Sequence, residues 1–267
     1  MLQEAKVDGD DIKKLVSEGY DPCHAVYIHA QRLTSIVAEQ LSMTKEARQY
    51  AKVVGDAEDT YMPSYPPISP VTTSYFTMWA FFDVLFGQSH ETIGTCLLRI
   101  ADVSTFPVWL KGVLDAMQRS RMGLYVHCGT EGRLVRLREL GSQQVLLCFA
   151  PTGYRGTEGE IWFVRLLPPI DARFDYHVIF TTPYIVINVG EREFKAYLDR
   201  ERGRLGTRTL PRKMEPTTFL MKHGSMANHW NEYIFCAYAG HQNDAVFLTG
   251  IPDIKESLPH ASAQIGA

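Results

Sequence analysis

Up to about residue 120 the apolar positions recur at three- and four-residue steps, the period of one helix face. A short helix is expected over Asp10–Ser17, with Ile12, Leu15 and Val16 on one side and Gly19 as its stop. Asp21 can cap the next helix while Pro22 takes its first position, where a missing N–H costs nothing. Val26, Ala30, Leu33, Val37 and Leu41 then trace a single stripe. Thr44 offers a cap for a third helix, with Ala47, Tyr50, Ala51 and Val54 inward and Gly55 at its end. Pro63, Pro66, Pro67 and Pro70 impose an extended connection. Ser69–Pro70 opens a helix through Tyr75–Phe86 that is apolar nearly all round, which predicts central burial, with an aromatic partner face as the alternative. Ser89 caps a helix through Ile93, Cys96, Leu97 and Ile100, and Pro107 begins one with Leu110, Val113, Leu114 and Met117 inward.

From Met122 the period shortens to two. Leu124, Val126 and Cys128 alternate with Tyr125 and His127 up to a turn at Gly129–Gly132. Val135 and Leu137 alternate with Arg136 and Arg138, and Val145, Leu147 and Phe149 follow a turn at Gly141–Ser142. The stretch Glu160–Pro169 is apolar on both faces until Arg165, and strands are expected over Tyr176–Phe180 and Tyr184–Val189. Asn188 caps a helix through Phe194, Tyr197 and Leu198. Ser225 caps another through Trp230, Tyr233 and Ala237, closed by Gly240. Ala245–Gly250 is a final strand, and the tail after Pro252 is expected to be loosely ordered. The fold class is therefore α+β, a helical N-terminal half followed by a small antiparallel β-sheet or barrel with two C-terminal helices. Residues 1–120 form the helical region and 121–267 the β-rich region with two helices. They are expected to pack as one compact unit, because no flexible linker separates them at residues 118–123.

Composition adds limits. Of 267 residues, 45% are hydrophobic and 21% charged, the balance of a chain able to bury a core. A net charge of -3 argues against a strongly basic nucleic-acid protein. Cys23, Cys96, Cys128, Cys148 and Cys236 are odd in number, far apart and without a CxxC pair, as expected of reduced buried thiols in a cytoplasmic protein. The polar, acidic N-terminus is unlike a signal peptide, and Tyr75–Phe86 is too short to span a bilayer.

Four places could carry chemistry. In the loop Thr152–Gly159 three glycines allow close backbone approach, Arg155 could grip an anion and Tyr154 could stack a base; the plainer account is a wide turn. His229, Glu232 and Cys236 share one helix face with His241 just beyond, and His229, Glu232 and His241 are the candidate metal ligands. A polar edge beside an aromatic core explains the same residues. Glu158 and Glu160 suggest a magnesium site of nuclease type, but the lysine such a strand requires is missing. Arg200 to Lys213 holds six basic residues against one acidic, and Arg200, Arg202, Arg204, Arg208 and Arg212 on a glycine-containing loop suit phosphates; the plainer account pairs them with Glu191, Glu193 and Glu201.

No catalytic residue can be assigned, since there is no GxSxG elbow and His127 projects away from Cys128. The expected function is a non-enzymatic binding or scaffold protein without a cofactor. It would contact nucleic acid or another anionic partner through the basic loop, with a protein partner or self-association and no membrane. The alternative is a metal-dependent, nuclease-like hydrolase holding a divalent metal at His229/Glu232/His241 or at Glu158/Glu160.

Overall fold

The computed structural model describes residues 9–63, 69–103, 108–207, 210–211 and 214–260. Six helices come first: α1 (Gly9–Ser17), α2 (Pro22–Ser42), α3 (Arg48–Tyr61), α4 (Thr73–Phe82), α5 (Ile93–Val103) and α6 (Val108–Arg119). Six strands follow: β1 (Met122–Glu131), β2 (Leu134–Glu139), β3 (Val145–Phe149), β4 (Ile161–Leu167), β5 (His177–Ile179) and β6 (Tyr184–Ile187). Then come α7 (Glu191–Gly206), α8 (Pro216–His223), α9 (His229–Ala237), β7 (Tyr238–His241) and β8 (Val246–Thr249). This is the α+β order that the change of period predicts. No helix among the described residues is long and apolar enough to cross a membrane.

Strands β1, β2, β3, β5 and β4 close into a five-stranded barrel through the β1–β4 pairing, and β6, β8 and β7 extend the sheet outward from β4. The β3–β5 and β6–β8 pairs are parallel and the others antiparallel. β4 is buried along its whole length because it pairs with β1, β5 and β6 and is covered on both faces. Hence its sequence is apolar at nearly every position rather than at alternate ones. Trp162, Val164 and Leu166 join Val135, Leu137 and Cys148 in one cluster within the barrel. Ile161 and Phe163 pack instead with Trp79, Tyr184, Trp230 and Tyr233, in a cluster that joins α3 and α4 to the strands and to α9.

Several boundaries differ from the sequence pattern. α3 runs through Gly55, since Tyr50, Ala57 and Tyr61 are all buried and their packing outweighs a cost of about 1 kcal/mol for an interior glycine. Gly129, at φ +100°, makes a bulge in β1 rather than the turn, so the strand continues to Glu131. Asn188 has φ +59° and α7 starts after Gly190, whose N–H is accepted by Glu193. α8 is an additional C-terminal helix, and Gly240 lies in β7 rather than at a helix end. The aromatic side chains Tyr75, Phe76, Trp79 and Phe82 of α4 are buried, as an apolar helix requires.

Two polar staples tie the helices to the barrel. Asp21 accepts the Cys23 and His24 amides with one oxygen, capping α2 as its sequence predicts. Its other oxygen accepts from Tyr176 Oη at 2.6 Å and Arg133 Nη2 at 2.7 Å, so the cap is also a cross-link to the barrel. The second staple is a buried ion cluster. Asp83, which follows the last turn of α4, is 3% exposed, Arg165 of β4 is 0% and Lys222 of α8 is 4%. Arg165 Nη2 donates to one Asp83 oxygen and Lys222 Nζ to the other at 3.1 Å. Lys222 Nζ also donates to the Ser120 carbonyl at 2.7 Å, and Arg165 Nη1 to Ser120 Oγ at 3.3 Å.

Asp21→Ala removes the cap and leaves the buried Tyr176 hydroxyl without its acceptor. We expect a loss of about 2–3 kcal/mol in urea denaturation. A loss below about 1 kcal/mol, no more than a cap alone, would show that the staple adds nothing.

Candidate functional site

The Thr152–Gly159 loop joins β3 to β4 and is braced from within. Gly153, Gly156 and Gly159 have φ of +86°, +59° and +90°. The Glu160 carboxylate accepts from Tyr154 Oη at 3.1 Å, Thr157 Oγ1 at 3.0 Å and Trp162 Nε1 at 3.0 Å. Arg155 Nη2 donates to the Gly132 carbonyl at 2.5 Å. A Cβ on Gly156 would lie 2.5 Å from Glu160 and 2.7 Å from the Trp162 ring, so only glycine fits there. Tyr154 and Arg155 are thus engaged in holding the turn. Glu160 already serves three donors, which leaves it poorly placed to bind magnesium with Glu158.

The basic run is not a loop up to Gly206. α7 carries Arg200, Arg202 and Arg204 through Gly203 and Gly206, because Phe194, Tyr197, Leu198 and Leu205 bury one face of the helix. Each of these arginines has an acidic partner. Arg200 meets Asp253 with two bonds of 2.7 and 2.8 Å, Arg202 meets Asp199 at 2.7 Å, and Arg204 pairs with Glu201. Of the carboxylates expected as partners, only Glu201 serves the run. Glu191 instead pairs with Arg138 of β2, at 2.8 and 3.1 Å. Arg208 and Arg212 lie outside the described residues.

The groups that do converge are Arg204, His229 and Glu232. They line a cleft of about 460 Å³ between α7, α9 and the chain after β8, together with Cys236, Asp253 and Lys255. His229 is oriented from both sides, with Nε2 2.8 Å from Tyr197 Oη and Nδ1 3.0 Å from Ser225 Oγ. Burial pushes its pKa down to about 4, so the ring is neutral at physiological pH. Burial, with Glu232 adding to it, raises Cys236, which keeps the thiol protonated. His241 is not in the cleft: it lies in β7, with Nδ1 2.5 Å from Tyr238 Oη. No group of three or more metal-ligating side chains is assembled among the described residues. A metal on His229 would have to displace Tyr197 or Ser225.

Asp253 and Lys255 belong to the segment expected to be loosely ordered. That segment instead forms a short 3-10 turn, Lys255–Ser257, held by Ser257 Oγ accepting from the Ile251 amide at 2.8 Å. The signal for it, Pro252-Asp253 followed four residues later by Ser257, is too short to separate from an ordinary tail. Within the cleft the charges divide. Arg204 and Glu201 neutralise each other and Asp253 is held by Arg200, whereas the Glu232 carboxylate and the Lys255 ammonium have no ion-pair or hydrogen-bond partner among the described residues. Both act electrostatically on Cys236, so they flank one stretch of the cleft. Comparison with protein-family models, curated proteins and solved structures returned no match to this chain.

Gly156→Ala should destabilise the protein by about 1 kcal/mol more than Gly153→Ala, because both force an unfavourable φ but only Gly156 also meets side chains. Equal losses in denaturant titration would contradict the braced turn. Acid lability is also expected. His24, His223 and His229 are each pushed by burial to about 4, so between pH 6.5 and 4 the unfolded chain binds protons that the folded one does not. Stability should fall as pH drops through that window, and His229→Gln should flatten the fall; an unchanged slope in urea midpoints at pH 7 and pH 4.5 would count against it.

Proposed function

We propose that the protein is a non-enzymatic binding module that takes a small zwitterion of the amino-acid or dipeptide type in the cleft between α7 and α9. The observation that carries this reading is the division of charge just described. Arg200, Glu201, Arg204, His229 and Asp253 have partners, whereas Glu232 and Lys255 have no ion-pair or hydrogen-bond partner among the described residues. A ligand ammonium complements Glu232 and a ligand carboxylate complements Lys255, while Leu205, Tyr233 and Leu258 offer apolar contact to what lies between.

The same geometry favours binding over chemistry. A nucleophile needs a thiolate and a base with a free nitrogen, but the Cys236 thiol is raised and both His229 nitrogens are engaged. The metal-hydrolase alternative gains nothing from His229, Glu232 and His241, which do not share one site. An anionic macromolecule on α7 would have to compete with Asp253, Asp199 and Glu201 for the arginines.

Calorimetric titration with a panel of free amino acids and dipeptides tests the reading. At least one member should bind with 1:1 stoichiometry, and Glu232→Gln and Lys255→Gln should each weaken it on the order of tenfold, about 1.4 kcal/mol, with stability unchanged. No saturable binding, or equal binding by both variants, would refute it.

A further inference from the structure

The ion cluster at Asp83 is unbalanced. Arg165 and Lys222 bring two positive charges to one buried carboxylate, while Arg121, whose charge also acts on Lys222, is paired with Glu139 at 2.7 Å. A buried pair stabilises only when its charges and hydrogen bonds are closed, and this cluster is closed on neither count. The Arg165 Nε–H and the Tyr75 hydroxyl beside it are buried without a hydrogen-bond partner. Lys222 gives two of its three N–H groups to Asp83 and Ser120.

Lys222 also lines a pocket. It measures about 200 Å³ and lies where the last turn of α6, the turn before α5, and α8 meet. Its polar lining is Arg119, His90, Thr92, Gln118, Thr218 and His223 beside Lys222, and no carboxylate is among the described residues that line it. Among the described residues Arg119 is paired at the surface, with Asp115 at 2.7 Å. His223 donates its Nδ1–H to the Asp83 carbonyl at 2.6 Å, and burial, which lowers it to about 4, keeps the ring neutral at physiological pH. The pocket therefore combines hydroxyl and cationic donors with an interior that holds surplus positive charge.

We propose that this pocket binds a small oxyanion, a phosphate or carboxylate group, whose negative charge completes the Asp83–Arg165–Lys222 cluster. The site is independent of the α7–α9 cleft and shares none of its residues. Size limits the ligand to the anionic group itself, inorganic or at the end of a larger molecule. Burial lowers Lys222 to about 8, with Asp83 from α4 opposing it and Arg165 from β4 and Arg121 before β1 adding to it, so its ammonium is protonated at neutral pH. Oxyanion affinity should accordingly fall as the pH rises through 8.

Calorimetry of the full chain with sodium phosphate, phenyl phosphate and sodium acetate, against sodium chloride at equal ionic strength, tests the proposal. One-to-one binding of at least one oxyanion is expected. Preference for phenyl phosphate would indicate an esterified group as source, preference for inorganic phosphate a free ion, and preference for acetate a carboxylate. Lys222→Met should abolish the binding while it keeps the Asp83–Arg165 pair. Arg119→Gln alters only an exposed pair and so preserves the fold; it should weaken binding several-fold and serves if Lys222→Met does not fold. Heat no different from chloride, or wild-type affinity in the variant that folds, would overturn the proposal.

Discussion

A carboxylate at the C-terminal end of a helix faces the negative end of the helix dipole, and Asp83 occupies that position in the interior of the protein. It can remain there only if cations are brought to it. One comes from the middle of the central barrel strand and the other from α8, more than a hundred residues further along. This requirement fixes the relative placement of three parts of the chain: the helical half, the barrel and the C-terminal helices. Apolar contacts supply most of the driving force for burial, but they are tolerant of small slips. The ion cluster is not, because any shift leaves a buried charge without its partner.

Around that point the architecture follows from ordinary constraints. β4 forms hydrogen bonds to three neighbours, so its side chains face either the barrel interior or the helices and none faces water. Arg165 lies on the same side of the strand as Phe163 and Leu167, whose clusters include helix residues, while Trp162 and Val164 fill the barrel. A charge on that face has no route to solvent and must find its counter-charge among the helices.

Much of this could be read from residue patterns. Asp21-Pro22 marks a helix start in both sequence and structure, and the shift from a helical to an alternating period at Met122 marks where the strands begin. What local patterns could not weigh was packing at a distance. Gly55 and Gly203 look like breaks, yet each lies in a helix whose buried face continues beyond it. α8 carried a legible sign in Pro216 at its first turn, with Glu215 accepting the Thr218 amide at 2.8 Å, but only eight residues in which to show a period. The ion cluster was visible as single charges inside apolar runs, Asp83 within one and Arg165 within another. Nothing in the order of residues states that those charges meet. The α7–α9 cleft was half legible: His229 and Glu232 share a helix face, but Lys255 arrives from a segment with no local pattern.

The parallel pairing of β6 with β8 has a further meaning. The chain leaves the sheet at Ile187, returns at Tyr238 as the edge strand β7, and turns back as β8 into the position between β7 and β6. The three helices between β6 and β7, α7, α8 and α9, are an excursion from one edge that interrupts no barrel pairing. The excursion could thus be lengthened, shortened or re-lined over evolutionary time with the five-stranded barrel preserved, provided that Lys222 kept its hold on Asp83. The barrel is then the fixed frame, and the helices mounted on it are the part that can change without breaking its pairings.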